Sequence, residues 1–389
     1  MFLSKNSIHC VGLVALALFA APSFAATNFT QTNLVSDQAG GGLVTDPNLL
    51  GCWGMSASAS SPIWVSNTAS GTSTLYTIPE TALVNSQNVN PPVAAVTPVS
   101  TVVAHVPPSA ANQLTPFGLP TGQVNNGYGT GNFEVAPGHP ASFIFAALDG
   151  TITAWYGGIN ADNTAAIMVD NGSNGAFYTG LGIGVSSVGP TLYAANFSKG
   201  TIDTFDHNFQ PVILPGGFID PNLPGGYYPF NIQRFGRRMY VTYAPSDGAG
   251  SIATSFSLGG PGAGWIDIFD LDGNLLQTLV AQDSNLSLPW GIAVTGANFG
   301  PFSYALIVGS FGNGTISAYD LGSGAYLGTM QDGKGNNIVI PGLWGLQWGN
   351  GGSGGDPATL YFAAAPQTGP TTFHGLLGSL KPMSDSTLQ

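Results

Sequence analysis

The sequence predicts an all-β fold, a single six-bladed β-propeller with four antiparallel strands per blade, and three observations lead there. A short apolar strand followed by a Gly-containing turn and a second strand recurs six times. An aromatic-Gly pair heads a strand in most of these units. One segment near the N-terminus lacks a partner and can close a ring of blades.

The repeat is clearest at Ile63 to Asn67 before Gly71-Thr72 and at Phe143 to Ala147 before Gly150-Thr151-Ile152. It returns at Leu192 to Asn196 before Gly200-Thr201-Ile202 and at Ala305 to Ser310 before Gly314-Thr315-Ile316. Looser copies are Met239 to Tyr243 before Gly264-Trp265-Ile266 and Leu360 to Ala364 before His374-Gly375-Leu376. Upstream stand Trp53-Gly54, Phe117-Gly118, Trp290-Gly291 and Trp344-Gly345, with Leu181-Gly182 and Phe230-Asn231 in the other two units. This element suits the innermost strand: the ring fills the wedge between blades and the glycine permits close approach at the axis. Thr30 to Ser36 is expected to be the outer strand of blade six.

Composition agrees with strands and tight turns. Gly 56 and Pro 28 in 389 residues, with 7% charged residues, leave few helix formers. A net charge of -12 with only seven Lys and Arg repels phosphate backbones and anionic lipid, which argues against nucleic acid and membrane surfaces as partners. Lys5, the apolar run Val11 to Ala21 and Ser23-Phe24-Ala25 read as a leader cut after Ala25. The expected organisation is therefore a leader over 1–25, one propeller domain over 26–381 and a polar tail over 382–389, the whole secreted and monomeric. Past the leader Cys52 is the only cysteine, so stability must come from burial without a disulfide.

Asn33-Leu34-Val35-Ser36-Asp37, Asp46-Pro47-Asn48-Leu49 with Trp53-Gly54, the repeat Asp220-Pro221-Asn222-Leu223 and Gly342-Leu343-Trp344-Gly345 resemble an uncharacterised family of secreted bacterial propellers. More distantly, the units are similar to NHL-repeat blades. Members often carry a C-terminal Pro-Glu-Pro sorting tag, which is not found in Ser384 to Gln389. The resemblance implies fold and export; it carries no activity.

Motifs for catalysis are weak. Gly351-Gly352-Ser353-Gly354-Gly355 has the spacing of a nucleophile elbow but no helix-forming sequence after it, so a loop is expected. Asp270-Leu271-Asp272-Gly273-Asn274 opens like a calcium loop but lacks the acidic closing ligand at Ala281, and reads as a hairpin turn. Glu80 and Glu134 are the only glutamates after the leader, and His105, His139, His207 and His374 are scattered. No cofactor is expected; a single divalent cation over the axis belongs to the alternative reading, a metal-dependent hydrolase of the lactonase kind.

Topology points to one face of the disc. The loops between the second and third strands and the connections between blades share it, and they carry Asp46, Asn48, Asp149, Asp220, Asn222 and His374. The long insert Ala244 to Ala263, with Phe256, lies there too, near Tyr227, Tyr228 and Tyr243. Asx turns explain the Asp-Pro-Asn-Leu loops without a ligand. Aromatic and hydroxyl groups with few charges suit a neutral glycan or an extracellular protein bound without catalysis. A structural surface or matrix protein is the third reading.

Overall fold

The computed structural model describes residues 28–79, 96–98, 104–112, 115–247, 256–369 and 372–383. The leader and Glu80 fall outside them. Six antiparallel sheets stand around one axis, each with its first strand innermost. Blade 1 comprises Cys52–Ser56, Ile63–Asn67 and Thr72–Thr77, the last flanked by Thr97–Pro98 and Ala104–His105. Blade 2 runs through Pro120–Asn125, Phe143–Ala147, Thr151–Trp155 and Ala166–Asp170, and blade 4 through Tyr227–Phe235, Arg238–Pro245, Trp265–Phe269 and Leu275–Ala281. Blade 5 has Pro289–Val294, Ala305–Ser310, Ile316–Asp320 and Tyr326–Thr329.

Blade 3 departs from the four-strand expectation. It has Tyr178–Ser186, Gly189–Asn196 and Thr201–Phe205, and its fourth position is reduced to a bridge between Phe205 and Pro211 and a hydrogen bond from Val212 N to Thr204 O of 2.9 Å. Phe209 and Phe218 adopt positive φ in this stretch and turn their rings inward, which breaks the extended run a fourth strand needs.

Ring closure is as expected. Blade 6 takes Leu343–Trp348, Leu360–Ala364 and Leu376–Pro382, then the N-terminal strand Phe29–Ser36, paired antiparallel from Phe29 opposite Pro382 to Ser36 opposite Leu376. Leu34 and Val35 are fully buried, and Phe29 stacks on Phe302 at 5.7 Å against the blade 5 side. Burial of such side chains in each interblade wedge holds the ring together.

At the axis the six inner strands touch backbone to backbone. A Cβ added at Gly54, Gly122, Gly180, Gly291 or Gly345 would come under 3.0 Å from the next blade's inner strand. Asn231 holds the sixth place and donates from Nδ2 to Trp290 O at 2.8 Å. The glycine is thus the repeated feature, and blades 2 and 3 present it as Thr121-Gly122 and Thr179-Gly180. This corrects the expected Phe117-Gly118 and Leu181-Gly182, because the aromatic before the glycine is dispensable and the missing Cβ is not.

Replacing Phe29 with Ala is expected to cost about 3–5 kcal/mol, the usual penalty for emptying an aromatic site, read as a lower urea midpoint with unchanged slope. Deleting Phe29–Ser36 should expose two sheet edges and bring aggregation as well as a fall in Tm.

Candidate functional site

Aromatic side chains gather on the axis at the entry end of the inner strands. Trp53 stacks on Trp344 with centroids 3.7 Å apart, Trp344 on Phe311 at 4.1 Å, and Phe256 leans on Phe311 at 4.3 Å. Trp290 meets Trp344 edge-on at 5.9 Å, and Phe230 lies 5.6 Å from it. These inner-strand rings plug the axis and pack on one another, where the sequence suggested that they fill the wedges between blades. Interblade space is already taken by residues such as Ile63, Val65 and Tyr76, which leaves the axis to the tryptophans.

Above the plug opens a cleft of about 450 Å³ lined by Trp53, Leu119, Leu148, Phe256, Phe311, Trp344, Ala365, Phe373 and a few uncharged polar groups. Among the described residues no acidic, basic or histidine side chain lines it. The indole N–H of Trp53 is buried without a hydrogen-bond partner. The site therefore offers aromatic surface with a few uncharged polar groups beside it, Thr68 and Gln367 among them.

Of the residues singled out from the sequence, Phe256 lies in the cleft wall. Tyr228 packs at its edge through Phe197, and Tyr227 donates from its hydroxyl to Gly262 O at 3.0 Å, at the end of the long insert. Residues 248–255 of that insert lie outside the described residues. Leu148 and Phe373 reach the cleft, while their neighbours Asp149 and His374 serve the scaffold. Asp149 accepts from Ser109 N and the Thr151 hydroxyl. His374 Nδ1 pairs with Asp37 Oδ2 at 2.7 Å and its Nε2 meets the Thr368 hydroxyl at 2.9 Å. Burial opposes ionisation of Asp37, but hydrogen bonds from Gly375 N–H, His374 and Gln38 outweigh it and hold the carboxyl below its ordinary range.

The Asp-Pro-Asn-Leu loops are interblade caps. Asp46 Oδ1 accepts from Asn48 N at 2.9 Å and its Oδ2 from the Tyr76 hydroxyl at 2.8 Å, while Leu49 is fully buried. Asp220 likewise accepts from Asn222 N and from the Thr278 hydroxyl. Asp283-Ser284-Asn285-Leu286 is a third copy, with Asn285 N on Asp283 Oδ1 at 2.8 Å, the Tyr319 hydroxyl on the same oxygen at 3.2 Å, and Leu286 buried. The sequence search passed over it because Ser284 replaces proline; the pattern Asp-x-Asn-Leu would have found it.

Tyr243 is not at the surface. It is buried between blades 3 and 4, its hydroxyl unpartnered, facing the fully buried Asp267. Asp267 Oδ1 accepts from Trp265 Nε1 at 2.8 Å, and Oδ2 has no partner in hydrogen-bond geometry. Burial first, and the carboxylate of Asp220 second, push its pKa up to about 7, against weaker help from Trp265, Thr278 and Tyr243.

Other motifs take structural roles. Asp270 Oδ1 accepts from Asp272 N and Asn274 N in a tight turn, and Glu134 bonds Gly131 N and Gly138 N. Asn350 pins the 351–355 loop through Gly352 N and Gly354 N. Cys52 is fully buried, which pushes its thiol pKa well up. Among the described residues no three His, Cys, Asp or Glu side chains group as a metal site, and no helix is long and apolar enough to cross a membrane.

Fold and site together define a six-bladed propeller with an uncharged aromatic cleft on its axis. No family model matches the sequence. The chain is 28% identical over 321 residues to the uncharacterized protein R648 of Acanthamoeba polyphaga mimivirus, covering 80% of this chain and 72% of that one. It is 29% identical to R640 of the same virus over 59% of this chain and 46% of that one, and 33% identical to L690 over 49% and 48%. The chain spans about half the length of R640 and L690. These relatives are viral, where the motifs suggested bacterial ones. Among solved structures, streptogramin B lyase aligns with TM-score 0.45 and 12% identity over 92% of this chain and 99% of that one. The PQQ-bound aldose sugar dehydrogenase of Streptomyces coelicolor aligns with TM-score 0.47 and 12% identity over 92% and 100%. The fold assignment rests on the strand topology itself.

Asp267 gives the site region a pH signature. From about pH 4, where an unfolded aspartate ionises, to about 7, the folded chain keeps a proton that the unfolded chain has lost. Its contribution therefore makes stability fall as pH rises through that window and level off above it, by about 1.4 kcal/mol for each unit of pKa difference at most. Asp267→Asn should flatten this part of the profile in urea titrations run from pH 4 to 8; an unchanged slope would assign it to other groups.

Proposed function

We propose that the protein is an exported, non-catalytic propeller that binds a neutral ligand, foremost a glycan, through the loop-rich face. The observation that carries this reading is the cleft above the axial plug. Over the stacked, buried Trp53 and Trp344 its lining includes the half-buried rings of Phe311 and Phe256 and the exposed Phe373, rings of the kind on which the C–H faces of a sugar pack. Its volume lies within the range of about 300–1,000 Å³ typical of ligand pockets. The absence of charge from its lining favours an uncharged ligand, since a charged one would lose hydration without a counter-ion. An extracellular protein that inserts an apolar side chain is the second occupant of the same kind. Export through a leader cut after Ala25 belongs to this reading, and intact mass of the secreted protein should show Ala26 as the first residue.

The test begins with an array of neutral oligosaccharides, followed by titration of the best binder against intrinsic tryptophan fluorescence. The signal should shift on binding, and Phe311→Ala or Phe256→Ala should weaken affinity about tenfold or more, equivalent to 1.4 kcal/mol. Arg237→Glu with Arg238→Glu, on the opposite face, should leave it unchanged. Equal binding by Phe311→Ala and the parent, or loss in the arginine variant, would place the working surface elsewhere.

A further inference from the structure

The glycine ring divides the axis, and the opposite mouth has different chemistry. Next to Gly122, Asn231 and Gly345 lies a basin of about 280 Å³ whose walls are the exit ends of inner strands from blades 1, 2, 3, 4 and 6, with Trp290 of blade 5 beneath them. Gln123 and Asn231 in its lining are bonded to backbone carbonyls of neighbouring blades, but other polar groups retain hydrogen-bonding capacity. Ser56 is 6% exposed and its hydroxyl has no hydrogen-bond partner. Gln233 and Gln347, both half-buried and lining the basin, have side-chain amides without a hydrogen-bond partner among the described residues. Asn125 donates from Nδ2 to Ser142 O, which leaves Oδ1 open. Arg234 donates from Nε to Ile183 O at 2.9 Å and from Nη1 to Gly236 O at 3.0 Å, which fixes the guanidinium at the rim and leaves Nη2. Among the described residues no carboxylate lines the basin, in a chain with net charge -12.

An unpartnered, nearly buried hydroxyl is costly unless something binds it. Here it lines one basin with two amides, each both donor and acceptor, and with one tethered cation. We infer that the basin is a second binding site, for a small polyhydroxylated acid of sugar-acid size. Hydroxyls of such a ligand pair with Ser56, Gln233, Gln347 and Asn125 Oδ1, and its single carboxylate meets Arg234. One guanidinium without further cations suits a carboxylate better than a phosphate dianion. The site is independent of the aromatic cleft, from which the glycine ring separates it.

The test uses D-glucuronate, D-glucose and inorganic phosphate as probes against the full chain, by isothermal titration and by Tm. Glucuronate should bind at least about tenfold more tightly than glucose or phosphate, a difference of 1.4 kcal/mol. Gln347→Ala should weaken glucuronate about tenfold, the scale of one lost hydrogen bond to a ligand. Arg234→Gln should reduce glucuronate to the level of glucose, and Phe311→Ala should leave it unchanged. The Gln347 variant keeps the test valid if Arg234→Gln fails to fold, since its side chain holds no protein partner. Absence of glucuronate binding, equal binding of phosphate, full affinity in Gln347→Ala, or loss in Phe311→Ala would each overturn the assignment.

Discussion

The contact on which the rest depends is the approach of six inner strands at the axis, where in five of the six blades one residue has no room for a Cβ. Five glycines occupy these places and Asn231 the sixth. Inner strands are sheet edges, and side chains of other blades satisfy their unpaired carbonyls. Gln123 Nε2 donates to Gly54 O, the Thr121 hydroxyl to Tyr178 O, Trp290 Nε1 to Thr179 O and Trp348 Nε1 to Val294 O. This stitching meets the demand that buried backbone groups be paired and fixes the angular position of each blade.

The same pinch sorts chemistry along the axis. Residues before the glycine, Trp53, Phe230, Trp290 and Trp344, face the entry end and form the aromatic plug. Among the residues after it, Ser56, Gln233 and Gln347 face the exit end and are polar. A rigid ring thus presents two small surfaces of unlike character. Most aspartates are occupied elsewhere, as turn caps whose oxygens hold backbone N–H groups at Asp46, Asp220, Asp270 and Asp283.

Much of the architecture was legible because strands and turns are local. The repeat marked six units, and the unpaired segment before unit one marked the closing strand. Register at the axis was less legible. Aromatic-Gly drew attention to Phe117 and Leu181, whereas close approach constrains only the glycine and allows Thr121 and Thr179 before it. Blade 3 lost its outer strand through inward-turned Phe209 and Phe218, which no alternation pattern signals. The candidate sites were the least legible part. Leu148 and Phe311 fall by topology in loops of the working face, but nothing in the sequence sets them apart from their neighbours there, and Ser56, Gln233 and Gln347 stand far apart in the sequence; only the ring brings them together.

The seam in blade 6 also decides how the molecule answers a mechanical load. Phe29 lies opposite Pro382 in an antiparallel ladder. The two chain ends therefore leave the seam at the same corner. Tension applied through those ends acts on one pair at a time and opens the ladder like a zipper, where a shear geometry would load all its hydrogen bonds together. A ring with a well-packed interior thus has a compliant direction, set by the polarity of two strands.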